Sequence, residues 1–474
     1  MASLIEVVDY YAQPGVRERV REYCGAGFGG APTCVYLSAI SSPAEARRGW
    51  AAAPRFPPDA LDHLLASGAD VARSMWDREH LIFHLDLDYL NVDYPGEPFL
   101  HPADTFLKLE PTLQATRRVL HDAGVHTLTL MTGRGYHFTG RIPIEDAVVD
   151  RLAGLAPATP GWWPVDARAP EWLKRPMEER LARAFTGLGL VNEFFGQQIV
   201  GRVASVSPIP VVFNGTVVGS GVSGRECVSI DLSAAGDPLD VRHLRVAFGA
   251  YQRHRFRDDI YGLRTATRVP PLAALPRHGD STWRRLAEGR DLASAARLAP
   301  LTRARLPLAS LGLDRAIDEY LESALAPIHR AFYERPPLEP AERQALLARL
   351  DPGALPPCVA ASLGRPNDLL LQPAHLQHVT RYFLGAGWHP RTIAELVLSR
   401  YDADFGWGDR WRRLDARTRA EFDVRVFAAL VASGLDGALD FNCRSAQEKD
   451  LCPASACPHD LRVDRDRLLK VVHS

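Results

Sequence analysis

The run Ile82-Phe83-His84-Leu85-Asp86-Leu87-Asp88 constrains this chain more than any other stretch. It reads as an apolar β-strand that ends in two carboxylates. Alternate residues of a strand share a face, so Asp86 and Asp88 project together and supply two oxygen ligands, half of a magnesium or manganese site. A second run, Thr132-Gly133-Arg134-Gly135-Tyr136-His137, follows another apolar strand, Thr127-Leu128-Thr129-Leu130. Gly133 and Gly135 let backbone amides approach phosphate oxygens, and Thr132, Arg134 and His137 add hydroxyl, guanidinium and imidazole donors. A carboxylate pair followed by such a turn points to a nucleotide-using site.

Each run has a plainer reading. Asp-x-Asp at a strand end is also a common surface turn, and glycosyltransferases hold a nucleotide-sugar diphosphate through such a pair. The glycine turn could equally be a tight bend beside a core histidine. A third apolar strand, Val228-Ser229-Ile230-Asp231, again ends in an acid. A third carboxylate turns a one-metal site into a two-metal one, in which one ion activates an attacking hydroxyl and the other holds the leaving pyrophosphate. Arg242, Arg245, Arg253 and Arg255 follow, with Tyr251 and His254 between them. The alternatives are a phosphate clamp and a solvated helix face, the latter more apt for Arg253 and Arg255.

The 474 residues are 46% hydrophobic and 24% charged, enough for more than one core, and the fold class expected is α+β with a helical C-terminal part. Strand formers are confined to the region before Tyr261, where Phe106 to Ala123 reads as an amphipathic helix with Leu107, Leu113, Val119 and Leu120 on one face. Phe213-Asn214-Gly215-Thr216-Val217 carries a tight-hairpin signal. From Arg264 to Arg305 connecting helices and loops are expected. Candidate helices then run over 313–330, 340–350, 373–385, 390–401 and 418–433. The expected division is a catalytic domain 1–265, a helical linker 266–310 and a helical domain 311–474.

A net charge of −1 excludes a uniformly basic nucleic-acid coat, and no run of eighteen apolar residues occurs. The N-terminal residues lack the pattern of a signal peptide, so cytoplasmic residence and no membrane partner are expected. Gly25-Ala26-Gly27-Phe28-Gly29-Gly30 precedes a strand instead of following one, which fails the dinucleotide-binding pattern. His375 and His378 read as surface neighbours on a helix.

The order of the three acidic and glycine motifs resembles the archaeo-eukaryotic primase superfamily, whose catalytic subunits show an apolar strand ending Asp-x-Asp, a Ser/Thr-Gly-x-Gly-x-His-like turn and an apolar strand ending in Asp. The resemblance implies an RRM-like catalytic fold. It implies two Mg²⁺ or Mn²⁺ ions on Asp86, Asp88 and Asp231, and an incoming triphosphate on Thr132 and His137, beside the donors that Gly133, Arg134 and Gly135 offer by their own chemistry. It also implies a phosphate contact from Arg245, with Arg242 as a further candidate. Tyr89 and Asp93 follow the first motif, where sugar selection or a further metal contact could lie. No zinc knob is visible, since Cys24, Cys34 and Cys227 are scattered.

Four late cysteines, Cys358 in Leu-Pro-Pro-Cys and Cys443-x8-Cys452-x4-Cys457, suit metal better than disulfides in a reducing compartment. Zinc, with His459 as a spare ligand, is one option. The layout resembles the iron-sulfur domain of the primase large subunit, which implies a 4Fe-4S cluster. The activity implied is a primase-polymerase acting on single-stranded DNA and nucleoside triphosphates, with replication, repair or CRISPR-associated proteins as partner classes. A primer-dependent gap-filling polymerase and a non-catalytic DNA-binding scaffold are the alternatives.

Overall fold

The computed structural model describes the chain except for residues 1, 28–29, 49, 51–52, 158–177, 217–224, 236–242, 264–268, 278, 280, 365–368, 402–415, 454–456 and 473–474. Helices and sheets are mixed, as an α+β chain requires. In chain order the strands are β1 (Leu37–Ile40), β2 (Arg55–Phe56), β3 (Asp70–Ser74), β4 (His80–Asn91), β5 (Leu128–Met131), β6 (Gly135–Pro143), β7 (Val211–Phe213), β8 (Glu226–Asp231), β9 (His243–Arg245), β10 (Ala250–Tyr251), β11 (Leu272–Ala273) and β12 (Leu275–Pro276). Two compact units divide the chain: 1–155, 165–188 and 238–316 form the first, and 156–164, 189–237 and 317–474 the second. No helix among the described residues is long and apolar enough to cross a membrane.

In the first unit, β12, β5, β6 and β4 lie side by side, every pair antiparallel. Strand β4 is buried over most of its length: Leu81, Phe83, Leu85 and Leu87 alternate with Ile82, His84 and Asp86, and all are buried. The helix Pro102–Asp122 covers one face, setting Phe106 edge-on to Tyr136 at 5.4 Å. That helix begins with Pro at its first turn and ends in a Schellman turn: Val125 N–H donates to Leu120 O at 2.8 Å and Gly124 N–H to His121 O at 2.9 Å, with Gly124 at φ +75°. Its buried stripe is Phe106, Leu109, Leu113 and Leu120. Leu107, expected on that face, is exposed, since one residue along a helix turns a side chain about 100° away. The linker region also holds strands the sequence did not suggest. One is β12, whose Pro276 is tolerated because β12 is an edge strand.

A second sheet of the first unit, in the order β2-β1-β3-β9, carries a fully buried arginine. Arg73 donates to Asp77 Oδ2 at 2.7 Å, to Tyr23 O at 3.0 Å and to Ser74 O at 3.0 Å, so its charge and its donors are matched inside the core. This ties the C-terminal end of the helix Pro14–Tyr23 to the sheet.

In the second unit, β7 and β8 pair in parallel. The Asn-Gly turn forms as the sequence suggests, with Asn214 at φ +57°, Gly215 at φ +69° and Thr216 N–H donating to Phe213 O at 3.2 Å. The expected hairpin onto the next strand does not, because a parallel neighbour requires the chain to return before it pairs. Downstream, 313–330 is two helices, Ser310–Glu322 and Leu325–Glu334, while Pro340–Ala348, Pro373–Gly385, Pro390–Tyr401 and Ala416–Ala432 fall near the expected positions. His375 and His378 are buried instead of exposed. The helix Pro373–Gly385 is covered on nearly every side, so His375 meets Ser362 Oγ at 2.8 Å and His378 meets the Phe441 ring edge-on at 5.2 Å.

The core of the second unit is held by a buried polar network. Arg425 donates to Glu193 Oε2 at 2.8 Å and to Tyr333 Oη at 2.6 Å; His329 lies 3.1 Å from Glu193 Oε1 and 2.9 Å from Tyr320 Oη. Burial alone would raise the Glu193 carboxyl, but the charges of His329 and Arg425 outweigh it and hold it at about 2. Arg425→Met should therefore strand a buried carboxylate and cost about 3–5 kcal/mol, a fall in melting temperature on the order of 10 °C. Because Glu193 is depressed when folded, its contribution is present above the ordinary carboxylate range and is lost as pH falls toward 2. Thermal melts of wild type and Glu193→Gln across that acid window should show a steeper pH dependence for wild type.

Candidate functional site

The site is laid out by the register of β4 against β6. Nine pairs run from His80 opposite Pro143 to Asp88 opposite Gly135, and within them His84 faces Thr139 and Asp86 faces His137. Cross-strand partners share a face, so His84, Asp86, Asp88, His137 and Thr139 stand together on one side. Leu87, Tyr89 and Tyr136 stand on the other, under the helix Pro102–Asp122. Tyr89 is engaged there: its hydroxyl donates to Glu97, and Lys108 Nζ lies 3.2 Å from it. Tyr89, to which the sequence assigned no firm role, therefore stands on the face opposite the acids.

At the end of the ladder the turn closes tightly. Thr132 N–H and Thr132 Oγ1 donate to Gly135 O at 2.9 and 3.1 Å, so the hydroxyl expected to serve phosphate is spent on the turn itself. A Cβ on Gly135 would stand 1.8 Å from Leu87 O, which makes glycine the one residue that lets the two strands meet there. A Cβ on Gly133 would come within 3.1 Å of Phe99 and Tyr251. The turn thus rests on an aromatic stack, in which Phe99 and His254 lie 4.7 Å apart and Tyr251 and His254 5.3 Å apart, nearly parallel. His254 is core rather than clamp: its Nε2 is 3.0 Å from Pro270 O, and burial pushes its pKa down to about 3.

The acids are differently held. His137 Nε2 lies 3.6 Å from Asp86 Oδ1, and both side chains are about one-tenth exposed. Asp88 pairs with the Arg134 guanidinium. Burial disfavours that guanidinium's charge, but Asp88, Tyr261 and Tyr251 outweigh it and keep its pKa above the ordinary value. Arg245 sits 2.8 Å from the buried Asp70 carboxylate and 4.1 Å from the centre of the Tyr251 ring, the same ring that touches Gly133. Arg242 lies outside the described residues. Asp231 belongs to the second unit, at the end of β8, where its Oδ1 accepts Ser233 N–H at 2.9 Å.

Sequence reasoning gave no role to His84, Thr139 or Tyr23. His84 Nδ1 is 3.0 Å from Thr139 Oγ1, Tyr23 Oη donates to the same oxygen at 3.3 Å, and the His84 and His137 rings meet edge-on at 5.1 Å. The signal for His84 was its place two residues before Asp86 on a strand; Tyr23 is distant in sequence and left none.

Two carboxylates on one strand face are the hard oxygen donors that Mg²⁺ and Mn²⁺ take, so the donor chemistry fits those ions. In the second unit, burial pushes the Cys358 thiol up to about 12. Cys443 Sγ accepts Leu461 N–H at 3.4 Å, and Cys457 is exposed. Soft thiol donors from separate elements suit iron-sulfur or zinc chemically. Among the described residues, no three His, Cys, Asp or Glu side chains stand together as a set able to hold a metal ion.

No protein-family model and no curated protein matches this chain. Among solved structures it is similar to the polymerase domain of Mycobacterium tuberculosis ligase D in complex with DNA, at 14% identity and a TM-score of 0.31, over 67% of this chain and 88% of that one. A likeness that loose carries no argument about function.

Proposed function

We propose that this chain is a template-directed nucleotidyltransferase, a primase-polymerase that starts and extends strands on single-stranded DNA. The observation that carries the reading is the β4–β6 ladder, which sets Asp86 and Asp88 on one face, opposite His137 and beside the Arg134 turn. In this reading Asp86, Asp88 and Asp231 hold two Mg²⁺ or Mn²⁺ ions. Held by these carboxylates, such ions would supply the positive charge that lowers the pKa of a 3′-hydroxyl and offsets the charge of a triphosphate. Arg134 would exchange Asp88 for triphosphate oxygens, His137 would donate to them, and the Gly133 and Gly135 positions let the turn's backbone come close. Arg245 and Arg242 would contribute further positive charge. The four cysteines Cys358, Cys443, Cys452 and Cys457 would carry a 4Fe-4S cluster, with zinc as the alternative, in a domain that grips template and the first nucleotide.

Protein purified without oxygen, given unprimed single-stranded DNA, Mn²⁺ or Mg²⁺ and labelled nucleotides, should make short new strands. Asp86→Asn, which keeps the side-chain shape, should abolish incorporation with an unchanged circular dichroism spectrum; retained extension would refute the metal assignment. Extension of primed template alone would assign the gap-filling reading, and binding without incorporation the scaffold.

The same preparation should show a broad visible absorption band that Cys358→Ser removes, with initiation lost before extension. A colourless protein that holds stoichiometric zinc would assign the cysteines to zinc.

A further inference from the structure

His84 lies on the acidic face yet has no place in the proposed chemistry, and its surroundings are unusually defined. It is buried, 4% exposed, and sits on the strand two residues before Asp86 and diagonal to His137. Thr139, directly opposite, is wholly buried and meets two partners: Tyr23 Oη, which donates to it at 3.3 Å, and His84 Nδ1 at 3.0 Å. A phenol is protonated at any ordinary pH and gives its hydrogen to Thr139. With Tyr23 as donor, the threonine hydroxyl has its one hydrogen left for Nδ1 of His84, an arrangement in which Nδ1 accepts and the ring hydrogen sits on Nε2. Tyr23 is itself anchored, since the buried Arg73 donates to its carbonyl at 3.0 Å and pairs with Asp77.

The chain from Tyr23 through Thr139 thus holds the His84 ring from one side, and that ring meets His137 at 89° and 5.1 Å. Edge-to-face contact between rings is directional, so a fixed His84 restricts the rotation of its neighbour. We propose that His84 is a positioning residue, which, locked by the Tyr23–Thr139 hydroxyl pair, orients the His137 imidazole toward an incoming nucleoside triphosphate. The inference rests on the proposed nucleotidyltransferase reading for its ligand, but not for the hydrogen-bond chain. A site that depends on one imidazole donor gains affinity when that donor is held in its bound orientation before the ligand arrives.

The test uses the full-length protein in primer extension with Mn²⁺ and a single nucleotide. Thr139→Val keeps the side-chain outline and deletes the hydroxyl; it should raise KM for the nucleoside triphosphate about tenfold, the equivalent of one hydrogen bond, with kcat changed less than about twofold. His84→Phe, which keeps a ring and loses Nδ1, should do the same, and Thr139→Ser should return KM to the wild-type value. Wild-type KM in Thr139→Val and His84→Phe, or failure of serine to restore it, would overturn the inference and leave His84 as packing. The chain is read separately, without nucleotide, from ¹⁵N-histidine spectra of wild-type protein. Expected are an Nε2–H tautomer for His84, identified by its loss in His84→Phe, and changed His137 signals in Thr139→Val. An Nδ1–H tautomer, or His137 signals indifferent to Thr139→Val, would overturn the inference even where the protein incorporates no nucleotide. Absence of incorporation by wild type would count against the enzyme reading alone.

Discussion

The antiparallel ladder between β4 and β6 is the constraint on which the rest of the site depends. Its nine pairs decide at once which side chains share the acidic face and which lie under the helix Pro102–Asp122. A slip of one residue would turn Asp86 and Asp88 into the apolar layer and bring Leu85 and Leu87 out. Gly135 fixes the end of the ladder, because no other residue fits against the Leu87 carbonyl. The turn that follows is closed from within by Thr132 and clamped to β4 by Arg134 on Asp88. Sheet register, turn and charge pairing are therefore one arrangement.

Around that ladder the protein keeps its buried charges paired. Arg73 with Asp77 and Arg245 with Asp70 serve the first unit, and Arg425 with Glu193 serves the second. Each pair joins elements far apart in the chain or anchors a helix end, and each satisfies hydrogen-bonding groups that would be costly to leave unmatched in a core. One of these arginines is also a residue expected at phosphate. Arg245 pairs with Asp70 and lies over Tyr251, and through that ring it supports the turn.

Much of the site could be read in the sequence because a strand has a period of two and a glycine turn has a recognisable composition. Asp86 and Asp88 share a face for that reason, and Gly133, Gly135 and His137 fall where a tight turn leads into a strand. Helix positions such as Pro373–Gly385 and Pro390–Tyr401 followed from their prolines and apolar spacing. Local patterns did not reveal what packs against them. Leu107 pointed outward, His375 and His378 turned inward, and the linker supplied an edge strand. Burial depends on neighbours from elsewhere in the chain, and propensity carries no record of them.

By itself, then, the sequence determined the mixed fold class, the acidic strand, the glycine turn and the residue types able to meet metal and phosphate. These are properties of short segments, set by backbone periodicity and side-chain chemistry. Tertiary structure alone decided that His137 stands opposite Asp86, that Arg134 neutralises Asp88, that an aromatic stack underlies Gly133 and that Tyr23 reaches Thr139 and, through it, His84. Those contacts join residues from separate strands and helices, and only the pairing of strands and the closing of the core bring them within bonding distance.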